Sequence, residues 1–117
     1  MNLKNMFVVC SFAFIALTTH ATAANALEDE ALQSLMKKSN CFKCHAVDKK
    51  KDGPPYKETA KKYKEKYKDK AEAEQKLYTH LTTNPKVKVD DKEEEHESLK
   101  TKNEADVRAV ARWILSR

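Results

Sequence analysis

Cys41-Phe42-Lys43-Cys44-His45 is the stretch on which the reading of this chain turns. Two cysteines separated by two residues, with a histidine directly after the second, form the attachment signature of a c-type haem. The spacing serves the chemistry. Two thiols add across the two vinyl groups on one haem edge and become thioethers, and the next imidazole then lies under the ring as proximal iron ligand. Zinc would ask for four ligands at short spacing, and the two other histidines outside the N-terminal segment, His80 and His96, stand alone and far apart. A thioredoxin-type redox motif would sit inside an alternating strand–helix pattern, which this sequence lacks. The motif therefore predicts one covalent haem on Cys41 and Cys44, with His45 on the iron.

Upstream, residues 1–23 read as a secretory leader. Lys4 supplies the positive charge, Met6 to Leu17 a short apolar run, and Ala21-Thr22-Ala23 the small-x-small cleavage pattern, with Ala26 as a second candidate. The run is too short to span a bilayer comfortably, so no permanent membrane anchor is expected. Cys10 follows Val9 rather than a small residue and does not read as a lipid-attachment site. The expected destination is the periplasm, which agrees with the motif because bacteria attach haem c outside the cytoplasm. The mature chain would be residues 24–117, one domain. With Lys4 gone, the 23 basic residues become 22 against 18 acidic ones. So small a core is thin by itself, and a buried haem would supply much of the missing apolar contact.

Helical spacing dominates what remains. The first helix is expected over Leu27–Lys38, with Leu27, Ala31, Leu35 and Leu32 on one face and Met36 as core packing rather than an iron ligand. A polar turn ending in Gly53-Pro54-Pro55 leads to a second helix striped by Tyr56, Ala60, Tyr63 and Tyr67, with lysine on its other faces. A third spans about Ala71–Thr82 and ends at Asn84-Pro85. In the last, Asn103 and Asp106 make a capping-box-like start, and Val107, Val110, Ala111 and Ile114 form the buried stripe with Trp113 at its edge. Gly53 is the single glycine, and the one strand signal, Val87-Lys88-Val89, is too short to count on.

The stretches Cys41–Asp48, Gly53-Pro54-Pro55-Tyr56-Lys57 and Ala111–Ser116, within residues 31–83 and 103–116, resemble the small monohaem bacterial class I cytochromes c. The resemblance implies an all-α class I cytochrome c fold, four to five helices around one covalent haem, with the first and last helices crossing beside it. It also implies that Pro54 offers its carbonyl to the outer nitrogen of His45, fixing the imidazole's orientation. The chain departs from the family in one place. Residues 85–102 hold no methionine and no glycine, so the usual methionine-ligand loop is missing. Val89–Leu99 reads instead as a short extra helix, acidic at its start, with His96 near the position where the family's methionine falls. His96 is the first choice for distal ligand and His80, beside Leu77 and Leu81, the second. A five-coordinate iron, or one bound by lysine or asparagine, completes the alternatives.

Two axial imidazoles would leave no open iron position, so the expected role is electron transfer at low potential and not catalysis. A gas-binding or sensing protein for nitric oxide or carbon monoxide is the alternative if the distal position is open or displaceable. A peroxidase-like site would need acid–base groups beside an open iron, and only His96 is at hand. The lysines from Lys49 to Lys70 suit docking of an acidic redox partner, or simply a solvated helix face. Basic and acidic residues alternate along the chain, which argues against a nucleic-acid partner.

Overall fold

The computed structural model describes residues 29–117; the leader and Leu27 lie outside the described residues. The elements run α1 (Asp29–Lys38), α2 (Cys41–Cys44), α3 (Tyr56–Lys66), α4 (Lys70–Thr82), β1 (Lys86–Val89), β2 (Lys92–Glu95) and α5 (Glu104–Leu115). α5 is the hub, touching α1, α3 and α4. Its stripe is buried as its spacing predicts: Val107, Val110, Ala111, Ile114 and, further in than expected, Trp113. The Asn103 side chain caps the helix by accepting from Ala105 N at 2.9 Å. Thr101 relays the rest of the cap, accepting from Asn103 N and donating to Asp106.

α1 buries Leu32 and Met36, with Leu35 half-buried, and leaves Ala31 exposed. The helix is therefore rotated from the expected Leu27–Ala31–Leu35 face. Turning Leu32 and Met36 toward α5 removes more apolar surface from water than turning Ala31 would. Met36 is fully buried, as core packing requires. α3 buries Tyr56 and Ala60 but leaves Tyr63 and Tyr67 half-exposed, and α4 buries Ala73, Leu77 and Leu81. Arg108 and Arg112 of α5 both reach Glu74 of α4, and Arg108 also lies over the Tyr78 ring, which pins α4 to α5.

The expected helix over Val89–Leu99 is not there. Residues 86–95 form an antiparallel hairpin in the register Lys86↔Glu95, Val87↔Glu94, Lys88↔Glu93 and Val89↔Lys92. Helix propensity loses to two local features. Lys86-Val87-Lys88-Val89 alternates with period two, and its valines face inward half-buried while its lysines face water. Asp90 and Asp91 then turn with left-handed φ of 46° and 67°, a pair of conformations that matches the twist of a two-residue hairpin loop. The chain leaves the hairpin extended: His96 N donates to Pro85 O at 2.9 Å and Leu99 N to Leu81 O at 3.0 Å. Leu99 is buried in the core.

Candidate haem site

α2 is a single turn that sets Cys41 and Cys44 on one wall of a cavity of about 540 Å³. Neither sulfur is in a disulfide; Cys41 is half-buried and Cys44 exposed. Burial pushes the Cys41 thiol up to about 11. Asn40 enters the turn with φ 61°, a left-handed conformation that asparagine tolerates.

His45 follows the turn in extended backbone, and two contacts hold its ring. Nδ1 donates to Pro54 O at 2.8 Å. Tyr56 stacks on the ring, centroids 5.2 Å apart and planes 22° apart. Gly53 makes the arrangement sterically possible: a Cβ there would collide with His45 Cε1 and lie 2.8 Å from Nδ1. Tyr56 in turn meets Trp113 edge-on at 5.5 Å, tying the imidazole to the α5 core. Burial raises the Tyr56 phenol well above its ordinary range and keeps it neutral.

His96 lies across the cavity from His45, ring centroids 6.0 Å apart. Extended backbone after β2, and not a helix, brings it there. His80, from α4, lines the same cavity and meets His96 edge-to-face at 4.5 Å. Both sequence candidates for the distal position are thus brought together. Burial lowers both imidazoles, His80 to about 4, and so favours the neutral form that binds metals. His96 Nδ1 is buried without a hydrogen-bond partner, and a buried nitrogen left so costs about 1–3 kcal/mol unless something else meets it. That orphan, two unpaired thiols and an apolar-lined cavity of ligand size fit a haem.

Two further residues belong to the site and carried no signal in the sequence. Asn40 Nδ2 donates to Glu97 Oε2 at 2.9 Å, and the buried Ser39 Oγ accepts from Lys100 N at 2.9 Å. The residues just before Cys41 are thereby tied to those just after His96. Only the folded geometry brings these partners together, because 57 and 61 positions separate them.

The comparisons with known proteins agree with this geometry. The family model for cytochrome c matches residues 30–117. The chain is similar to the solved class 1 cytochrome MtoD from Sideroxydans lithotrophicus ES-1, with 48% identity over 76% of this chain and 95% of that one, and a TM-score of 0.64. It is also similar to Nitrosomonas europaea cytochrome c552, with 31% identity over 72% of this chain and 96% of that one; the TM-score is 0.53 for the wild type and 0.56 for an N64Del mutant. No match was found among curated proteins. Motif, helical frame and relatives converge: the chain belongs to the cytochrome c family of class I monohaem proteins, and the prosthetic group its Cys41–His45 motif fits is covalently bound haem c.

Proposed function

We propose that this cytochrome is an exported one-electron carrier whose iron is held by His45 and His96. Cys41 and Cys44 carry the two thioethers, and Pro54 orients the proximal ring through its carbonyl. The observation that carries the reading is the separation of the two rings. A metal ion held between two imidazoles through bonds of about 2.0 Å would leave the ring centres roughly 6 Å apart; His45 and His96 are 6.0 Å apart. His80 pairs with the His96 ring at 4.5 Å rather than with the His45 ring and is the less favoured ligand.

The haem supplies a one-electron ferric–ferrous couple, and the chain's own residues decide how it is used. Two fixed imidazoles leave no coordination site for substrate, which suits transfer and not catalysis. Pro54 and Tyr56 hold the proximal ring, and the Pro85 and Leu81 carbonyls hold the distal segment, so little need move when the charge changes. Histidine in place of methionine lowers the potential. The acids of the hairpin, Asp90, Asp91, Glu93, Glu94 and Glu95, favour the ferric charge in the same direction, as far as solvent screening allows. The lysines between Lys49 and Lys70 offer a face to an acidic redox partner. Among the described residues no helix is long and apolar enough to cross a membrane.

Low-temperature electron paramagnetic resonance of the ferric holoprotein tests the ligand set. The expected result is a low-spin signal of two imidazoles, converted to high spin by His96→Ala. An unchanged low-spin signal in that variant removes His96. Rapid carbon monoxide binding by the reduced parent protein would move the gas-binding alternative to first place.

A further inference from the structure

Residues 96–100 form a strap beside the haem cavity, and the strap is held from two sides. On the α4 side, His96 N donates to Pro85 O and Leu99 N to Leu81 O, and the Leu99 side chain is buried in the core. On the other side the strap is tied to the two residues that lead into the haem motif. Ser39 Oγ accepts from Lys100 N at 2.9 Å, and Asn40 Nδ2 donates to Glu97 Oε2 at 2.9 Å. Ser39, Asn40 and Glu97 line the same cavity as His96.

The two sides differ in character. Burial of Leu99 and the two carbonyls keep the strap on the fold, because that is where apolar surface leaves water. The ties to the motif contribute little of this kind. Glu97 is exposed and Asn40 half-buried, so water competes for their bond and its net contribution to stability is small. Ser39 is the one buried polar residue among the described residues, 2% exposed. A buried hydroxyl costs free energy unless it is hydrogen-bonded, and alanine would fill the position without that cost. What both ties do is fix a distance. Ser39 and Asn40 lead directly into Cys41, to which the haem is bonded, and Glu97 directly follows His96. The spacing between the haem's covalent anchor and the distal histidine is thereby set by bonds that bypass the α5 core.

We propose that Ser39 and Asn40 are positioning residues for the distal ligand: their hydrogen bonds to the strap hold His96 on the iron and so keep exogenous ligands off it. The inference rests on the reading that His96 binds the iron, and deepens it by naming what sets the lifetime of that bond.

Carbon monoxide binding to the reduced holoprotein reads the lifetime. Where a histidine must leave first, the binding rate levels off at high carbon monoxide, and the plateau is the rate at which His96 departs. Ser39→Ala and Asn40→Gly should each raise the plateau roughly three- to five-fold, and the pair roughly ten-fold, as expected for the loss of hydrogen bonds of ordinary strength. Glycine is the replacement for Asn40 because φ there is 61°, a conformation that alanine would strain. Glu97→Ala should match Asn40→Gly and add nothing when combined with it. Glu97→Gln keeps an acceptor and should stay within about two-fold of the parent. The ferric signal should remain low-spin in every variant, since Leu99 and the α4-side carbonyls still deliver His96. A merely structural role is excluded by Glu74→Ala, which deprives Arg108 and Arg112 of their shared partner outside the cavity lining and should leave the plateau unchanged. Amide exchange supplies a readout without any added ligand: in Ser39→Ala, exchange at Lys100 N should quicken roughly ten-fold while that at Leu99 N changes less. A plateau that the Ser39 and Asn40 variants do not move, or that Glu74→Ala raises as much, overturns the proposal and leaves His96 as ligand. A rate that climbs linearly with carbon monoxide in the parent looks different: it removes His96 from the iron, and the proposal falls with that reading.

Discussion

Adding one methyl group at Gly53 should damage the site out of proportion to its size. The Cβ of Gly53→Ala would overlap His45 Cε1 and sit 2.8 Å from Nδ1. The ring is held by the Pro54 carbonyl at Nδ1 and by the Tyr56 ring stacked on it, so it can yield only by loosening those contacts and moving into the haem cavity. Overpacking of this kind costs about 1–3 kcal/mol. Displacing Nδ1 from Pro54 O forfeits a hydrogen bond worth about 1 kcal/mol. Together these amount to about 2–4 kcal/mol, which in a domain of this size lowers Tm by roughly 10–30 °C. Thermal unfolding of ferric holoprotein followed in the Soret band measures the shift, and electron paramagnetic resonance on the same sample reports whether the axial field has changed. A Tm within about 4 °C of the parent together with an unaltered spectrum would refute the reasoning, because the cradle would then have slack that the contacts deny.

Three further outcomes follow from the frame. Met36→Ala empties a fully buried site between α1 and α5 and should destabilise by about 2–5 kcal/mol in a denaturant titration, with the haem spectrum retained. Asn103→Ala removes the cap of α5 and should cost about 1 kcal/mol, whereas Asn103→Gly should cost only a few tenths; equal effects would mean that Thr101 alone satisfies the helix start. Replacing Asp90-Asp91 with Asn-Gly relieves two left-handed aspartates at the hairpin turn and should raise stability by up to about 1 kcal/mol, seen as slower amide exchange across β1 and β2.

The parts of this protein that could be read from its residues are those where one local pattern dominates. Cys41, Cys44 and His45 declare their chemistry by spacing alone, and the α5 stripe from Val107 to Ile114 declares its burial by period. The helix expected to carry His96 is a hairpin and an extended exit, and that exit sets His96 against the cavity that His45 also lines. The strand signal Val87-Lys88-Val89 is too short to convince without a partner, and the partner strand Lys92–Glu95 has no apolar face to announce it. Ala31 is exposed although it shares the expected face, because helical period alone does not fix rotation; the sizes of Leu32 and Met36 do. The stacking of Tyr56 on His45 and the ties from Ser39 and Asn40 depend on distances that only the closed fold creates.

Those ties have a consequence for the order of events during maturation. Thiols must be reachable when a haem is attached, and an open chain offers Cys41 and Cys44 more readily than a closed one. The link from Asn40 to Glu97 closes a span of 57 positions and that from Ser39 to Lys100 one of 61, contacts of high order that tend to form late. Since the entropy of closing such spans grows only slowly with their length, neither needs to be strong to latch once both flanks have been organised. The strap bearing His96 would then be the last part of the fold to shut, drawing Leu99 into the core as it does so.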